Sequence, residues 1–165
     1  MPLTQLSPLP SWMPEKNVPL DVMTAFAVST QTLTASGYVN SNQAQIDLGV
    51  GLWEGRLALE LSSLDLSSAD ETYRLFLLAS NDQAFGNGNV EILASQDFAA
   101  ASAGRLLPTV APASNSVPSA GRPSTRFVVP VTNKRGDFLF RYLQLYALIG
   151  GTTPSISLRA WLAAC

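Results

Sequence analysis

Short segments with an apolar residue at every second position constrain this chain more than any other feature. Leu57, Leu59 and Leu61 alternate with Arg56, Ala58 and Glu60, and Ile156, Leu158, Ala160 and Leu162 alternate with Ser157, Arg159 and Trp161. A period of two sends neighbouring side chains to opposite faces of a strand, whereas a helix needs a period near 3.6. Val90, Ile92 and Ala94 repeat the pattern. Tyr73–Ser80 is apolar on both faces, which predicts a central strand covered on both sides. In Arg126–Val131, Pro130 predicts an edge or a bulge. Phe138–Ile149 predicts one long strand, with Phe138, Phe140, Tyr142 and Tyr146 on one face and Leu139, Leu143, Leu145 and Ala147 on the other. Its aromatic content and flanking glycines favour strand over helix, and its aromatic face reads as core rather than as a ligand platform.

Other segments are less explicit. Asp21–Gly37 is β-permissive through Val22, Phe26 and Val28, with a short helix over 21–28 as the alternative. Gly37–Asn42 reads as a strand end and turn, and Gln45–Gly49 as a short strand closed by glycine. Polar turns fall at Asp65–Glu71, Asn81–Asn89, Lys134–Asp137 and Gly150–Pro154. About seven or eight short strands joined in this way predict an all-β fold, an antiparallel sandwich or barrel.

Two segments stand apart. Residues 1–20 hold five prolines, Pro2, Pro8, Pro10, Pro14 and Pro19, which forbid a regular helix or a central strand. Leu3, Leu6, Leu9, Trp12 and Met13 lie among them. A merely disordered tail needs no such groups. The segment reads as an extended arm lying along a surface, its own or a neighbour's, and these five residues are the candidate partner-binding set. Residues 99–124 are Ala-, Ser-, Pro- and Gly-rich. A loop of that length is functional or disordered. The 165-residue chain is thus expected to be one domain over 21–165, preceded by an arm.

The residues that usually carry chemistry are scarce. The chain has no histidine, which excludes triads with a His base and zinc sites of the Cys/His type. Its one cysteine, Cys165, has no partner for an intramolecular disulfide and reads as an ordinary free thiol. Gly86-Asn-Gly88 lacks the Lys-Ser/Thr and helix of a phosphate loop and reads as a hairpin turn. Asp65, Asp70 and Glu71 are the best metal candidates, but their spacing matches no calcium-binding helix–loop–helix, and a solvated turn explains them. Asp82 and Glu91 could form a glycosidase carboxylate pair, although acids flanking a hairpin are commonplace. Arg135-Gly136-Asp137 is the tripeptide of integrin ligands, and a turn accounts for it. No catalytic residue, metal ligand or cofactor is expected.

Charge bears on partners. Ten basic and twelve acidic residues give a net charge of -2, and the two lysines and eight arginines are scattered, which argues against nucleic-acid binding. Only 13% of residues are charged, about half the ~25% usual share. Either copies of the chain or another protein cover much of the surface, or Ser, Thr and Asn dominate it. Met1–Trp12 has neither the basic start nor the apolar run of a signal peptide, and no stretch approaches a membrane span. Cytosolic folding is permitted.

Asn42-Gln-Ala-Gln-Ile-Asp-Leu-Gly49, within the segment from Ala35, resembles the start of the jelly-roll cement proteins of tailed bacteriophages. Tyr73–Asn81 followed by Phe85-Gly-Asn-Gly-Asn89 is similar to the same family, and Phe138–Tyr146 and Ser155–Trp161 resemble its closing strands. The likeness covers residues 35–98 and 126–162 and rests on strand and turn patterns. It implies an antiparallel β-sandwich of jelly-roll type. It also implies a non-enzymatic subunit made in the host cytoplasm, trimeric, seated on the outer capsid surface of the virion and tying major capsid proteins together. The alternative is a carbohydrate- or receptor-binding jelly-roll module of a phage tail or spike, for which Trp53 and Trp161 are the only central tryptophans. A small hydrolase with an all-carboxylate site ranks last.

Overall fold

A computed structural model describes residues 24–41, 45–86, 90–99 and 125–164. The described residues form strands and turns, without an α-helix. The strands are β1 (Ala25–Leu33), β2 (Gly37–Tyr38), β3 (Ile46–Asp47), β4 (Glu54–Leu64), β5 (Thr72–Ser80), β6 (Glu91–Ala99), β7 (Thr125–Thr132), β8 (Lys134–Arg135), β9 (Phe138–Leu139), β10 (Tyr142–Gly150) and β11 (Ile156–Ala164).

Apart from β8 and β9, which form a separate two-stranded ribbon, they build two antiparallel sheets that enclose one core, as the alternation predicts. The first sheet runs β1-β11-β4-β7. The second runs β2-β10-β5-β6, with β3 also on β10. From the first sheet Leu57, Leu59, Leu61, Ile156, Leu158 and Leu162 point inward. From the second Tyr73, Leu75, Leu77, Leu143 and Leu145 meet them. Each such side chain taken out of water contributes about 1.5–3 kcal/mol. Phe98 of β6 and Phe127 of β7 pack edge to face, with centroids 5.0 Å apart, and close one side of the sandwich.

Gly55 sits where no other residue fits, because an added Cβ would strike both the Trp53 ring and the Ala163 carbonyl. Pro130 stands on β7, an edge strand, where its missing N–H costs no ladder bond.

Three expectations are corrected. The helix alternative over 21–28 gives way to β1, whose Ala25 and Ala27 pair with Trp161 and Ala160. The single strand Phe138–Ile149 is broken at Phe140–Arg141. There the Phe140 amide donates to the Asn133 carbonyl at 2.9 Å, and the Arg141 amide donates to Asn81 Oδ1 at 3.0 Å. These bonds replace ladder bonds and shift the alternation. Phe140 turns into the core while Tyr142 and Tyr146 face outward, half-buried, and Phe138 is 70% exposed. The aromatic face is therefore not core. Thirdly, β5 is central in its sheet, but only its Tyr73, Leu75, Leu77 and Ala79 face is fully buried; Arg74, Phe76 and Leu78 are half-exposed.

Candidate functional site

Residues 1–20, including Leu3, Leu6, Leu9, Trp12 and Met13, lie outside the described residues, as do the loop over 100–124 and Cys165. The candidate site must be sought on the sandwich.

The outer face of the first sheet combines an ion-paired row with apolar side chains: Val128 of β7 is half exposed on it, and Val28 of β1 is also open to solvent. Glu60 stands opposite Arg126 of β7 on one side and Arg159 of β11 on the other. Its carboxylate accepts from Arg126 Nη2 at 2.7 Å and from Arg159 Nη2. The Glu60 side chain is buried, while the arginines are about half exposed. Arg126 also lies 5.1 Å over the Trp161 ring. Trp161 is thus a seat for an arginine, and Trp53 packs against the core; neither forms the open platform that a sugar needs.

The outer face of the second sheet is apolar. Cross-strand pairing aligns Tyr38, Tyr146, Phe76 and Ser95 in one row. Gln144, Leu78 and Ile92 form the row on one side of it, and Leu148, Arg74 and Asp97 the row on the other. Tyr38 and Tyr146 meet edge to face at 5.1 Å. Ile92 and Leu148 are more than two-fifths exposed. Gln144 is buried at 4% exposure, and its Oε1 finds no partner among the described residues. Arg74 pairs with Asp97 at 3.4 Å and leans over Phe76.

One end of the sandwich carries a second apolar patch. Val50 is 99% exposed and Leu52, Phe138 and Leu139 are also open to solvent. Asn133, itself buried, builds this tip. Its Nδ2 donates to the Gly51 and Phe140 carbonyls, both at 2.9 Å, and its Oδ1 accepts from the Trp53 amide at 2.8 Å. Nothing local in the sequence announces this clamp. The Arg135-Gly136-Asp137 turn joins β8 to β9, with Gly136 at φ +59°. Arg135 is exposed, and its guanidinium donates to the Ile92 carbonyl and pairs with Glu91.

The acids at the opposite end are structural. Asp65 Oδ1 accepts from the Ser67 amide, and Asp70 accepts from both the amide and the hydroxyl of Thr152. The Ser67 side chain, with its amide, holds the Asp65 carboxyl below the usual carboxylate range, and the Thr152 amide and hydroxyl do the same for Asp70. Glu71 departs from the solvated-turn expectation: it is fully buried, and Oε1 accepts from the Ser68 amide at 2.7 Å. Among the described residues no three Asp, Glu, Cys or His side chains gather as metal ligands. Asp82 folds onto its own turn, accepting from the Ala84 and Gly86 amides, and Glu91 faces Arg135. The proposed carboxylate pair is already engaged in structural contacts. No protein-family model matches the chain, and no curated protein matches it.

Proposed function

We propose that this chain is a non-enzymatic cement subunit of a tailed-phage head, a jelly-roll sandwich that self-associates on the outer capsid surface and ties major capsid proteins together. The observation that carries the reading is that exposed apolar side chains lie both on the sheet faces (Val28, Val128, Ile92 and Leu148) and at the end tip (Val50, Leu52, Phe138 and Leu139) of one sandwich. A bridging subunit needs one contact for its own kind and another for the lattice. Exposed apolar patches of this sort mark protein–protein contact sites. The jelly-roll assignment is supported by the strand orders, in which β1-β11-β4-β7 faces β2-β10-β5-β6. Successive strands change sheet at most connections, the order that two interlocked Greek keys produce. A Pro-rich arm over residues 1–20 would add a further tether through Leu3, Leu6, Leu9, Trp12 and Met13.

The test is co-sedimentation of the purified protein with heads that carry the major capsid protein and no cement. Binding that saturates at a fixed ratio to capsid protein, with heads that melt at higher temperature, is expected. Absence of binding at high micromolar protein overturns the reading. Glycan-array binding that is lost on changing Tyr38 or Tyr146 to Ala, without head binding, would make the protein a carbohydrate-binding module instead.

A further inference from the structure

We infer that copies of the chain meet end to side: the acidic end of one copy, formed by residues 65–71 and 151–155, sits on the arginine-bearing outer face of β1-β11-β4-β7 of the next. The inference rests on the self-association in the reading above and names the two surfaces that make it.

The ion pairs single out the face. Elsewhere on the sandwich each paired arginine has a carboxylate of its own: Arg74 with Asp97, Arg135 with Glu91 and Arg141 with Asp47. On the first sheet Arg126 and Arg159 share the one carboxylate of Glu60. Arg56 lies four residues from Glu60 on β4, hence on the same face and about 13 Å away. It is exposed and has no ion pair among the described residues. The Glu60 side chain is 6% exposed, while those of Arg126 and Arg159 are 59% and 47% exposed. Glu60 is thus satisfied, and water meets the positive members of the row. The other acid on this face, Glu54, lies beyond Arg56 at the tip end of β4. Val128 adds exposed apolar surface beside the arginines.

The end of the sandwich away from the tip has the opposite sign. Its loops hold Asp65, Asp70 and Glu71 and no lysine or arginine. Glu71 is buried, Asp70 is exposed and Asp65 is half-buried. Both aspartates are held below the usual carboxylate range, so both are charged at neutral pH. Leu66 and Pro154 in the same loops are partly exposed. An acidic end with apolar neighbours therefore faces a cationic face with an apolar neighbour, and both belong to one chain.

The signs also select the symmetry. Two arginine faces laid together, or two acidic ends, oppose like charges and lose affinity. A contact between unlike surfaces is heterologous, and such contacts close into rings when the rotation between neighbours allows it. A ring of three, the number that the resemblance implies, is built from contacts of this kind. Each copy then spends one end and one face on its neighbours, and the tip with Val50, Leu52, Phe138 and Leu139 stays open for the lattice.

The experiment is the molar mass of the full chain by light scattering after size exclusion, in dilute buffer and in about 0.5 M salt, where exposed charges are screened within a few ångströms. Wild type is compared with Arg56→Glu, Asp70→Arg and the two combined, each confirmed folded by its far-UV spectrum. Should Asp70→Arg fail to fold, Asp70→Asn, which keeps an acceptor for Thr152, replaces it. Three copies are expected for wild type in dilute buffer, with dissociation in salt. Each single variant should weaken the assembly at least about tenfold, and the combined charge exchange should recover part of that loss. The proposal is overturned by a monomeric or two-copy wild type, or by a trimer that neither the single variants nor salt disturbs. It is equally overturned by a combined variant no better than either single one. An intact Arg56→Glu trimer that no longer binds heads overturns it as well, and gives the face to the capsid protein. Head co-sedimentation of wild type is scored separately, so the cement reading can fail or survive on its own.

Discussion

The two outer faces of the sandwich solve one problem in opposite ways. Each presents a row that crosses three strands. On the first sheet the row is Arg159–Glu60–Arg126. On the second it is Tyr38–Tyr146–Phe76. The charged row is complete within one chain, since the carboxylate is bound from both sides and the arginine heads remain in water. The aromatic row leaves its rings partly accessible, and beside it a buried amide oxygen without a partner among the described residues. The first face satisfies its central charges within the chain; the second leaves Ile92 and Leu148 more than two-fifths exposed. Both sheets are antiparallel, so the distinction lies in the outward-facing residues of each strand.

The sharpest way to break this contrast is to strand Glu60. Replacing both Arg126 and Arg159 with Ala leaves a buried carboxylate without its two arginines. Removing one side of a buried ion pair costs about 3–5 kcal/mol. The arginines here are half exposed, which lowers the expected loss to about 2–3 kcal/mol by urea denaturation. Adding Glu60→Gln to that background should restore part of it. On the opposite face Leu148→Ser should move the stability of the isolated chain by no more than about 0.5 kcal/mol. Equal effects from the two faces would mean that the aromatic face is also structural.

A smaller effect separates both faces from the end of the sandwich beneath them. Tyr73 is buried there, its hydroxyl donating to the Asp65 carbonyl at 2.6 Å and accepting from the Ser155 amide at 3.0 Å. Burial pushes its phenol up to about 12. Between pH 10 and 12 the unfolded chain loses this proton while the folded chain keeps it. The unfolded state then binds fewer protons, so stability falls as pH rises through that window. Below pH 10 the term is fully present. The expected signature is a decline in melting temperature above pH 10 that Tyr73→Phe removes in part. The same variant should be less stable at pH 7 through loss of two hydrogen bonds. An unchanged alkaline limb in Tyr73→Phe would show that the phenol does not govern it.

The parts that were legible in the sequence are those set by neighbours in the chain. Leu57, Leu59 and Leu61 announce β4, and Ile156, Leu158, Ala160 and Leu162 announce β11, because period two is a local signal. Pro130 announces an edge for the same reason. What failed depends on distant residues. The strand break at Phe140–Arg141 is made by Asn133 and Asn81, and Asn81 lies 60 residues from Arg141. Without those bonds the aromatic alternation reads as a continuous core face, which holds for Phe140 but not for Phe138, Tyr142 or Tyr146. The row on Glu60 joins residues 66 and 99 positions away, so no motif could disclose it. Glu71 resembled any acid in a polar turn, and only the folded chain buries it. The apolar residues that stood out in the sequence, Leu3 to Met13, belong to the part outside the described residues, whereas the exposed apolar side chains of the sandwich are Val28, Ile92, Val128 and Leu148 on the sheets and Val50, Leu52, Phe138 and Leu139 at the tip.

The smallest expected effect lies at the margin of the aromatic face. Asp47 accepts two 2.7 Å bonds from Arg141, at Nε and Nη2, and a third from the Gly49 amide at 2.8 Å. The guanidinium, with the amide behind it, lowers the carboxyl to about 2. A depressed carboxyl contributes stability that is present above its unfolded value near 3.8 and is lost as pH falls through about 2. Both partners are nearly half exposed, so water and salt screen most of that contribution, and exposed pairs commonly amount to little. Asp47→Asn should therefore leave the melting temperature at pH 7 within about 2 °C of wild type. Any difference should shrink between pH 4 and pH 2 and diminish with added salt. The second sheet's margin would then be closed by geometry rather than by energy, with Arg141 laid 5.0 Å over the Tyr142 ring to bound the apolar surface. A large, salt-insensitive loss at pH 7 would refute that view. It would mean that the pair holds β3 against β10, and that this face, like the first, is completed by charges within its own chain.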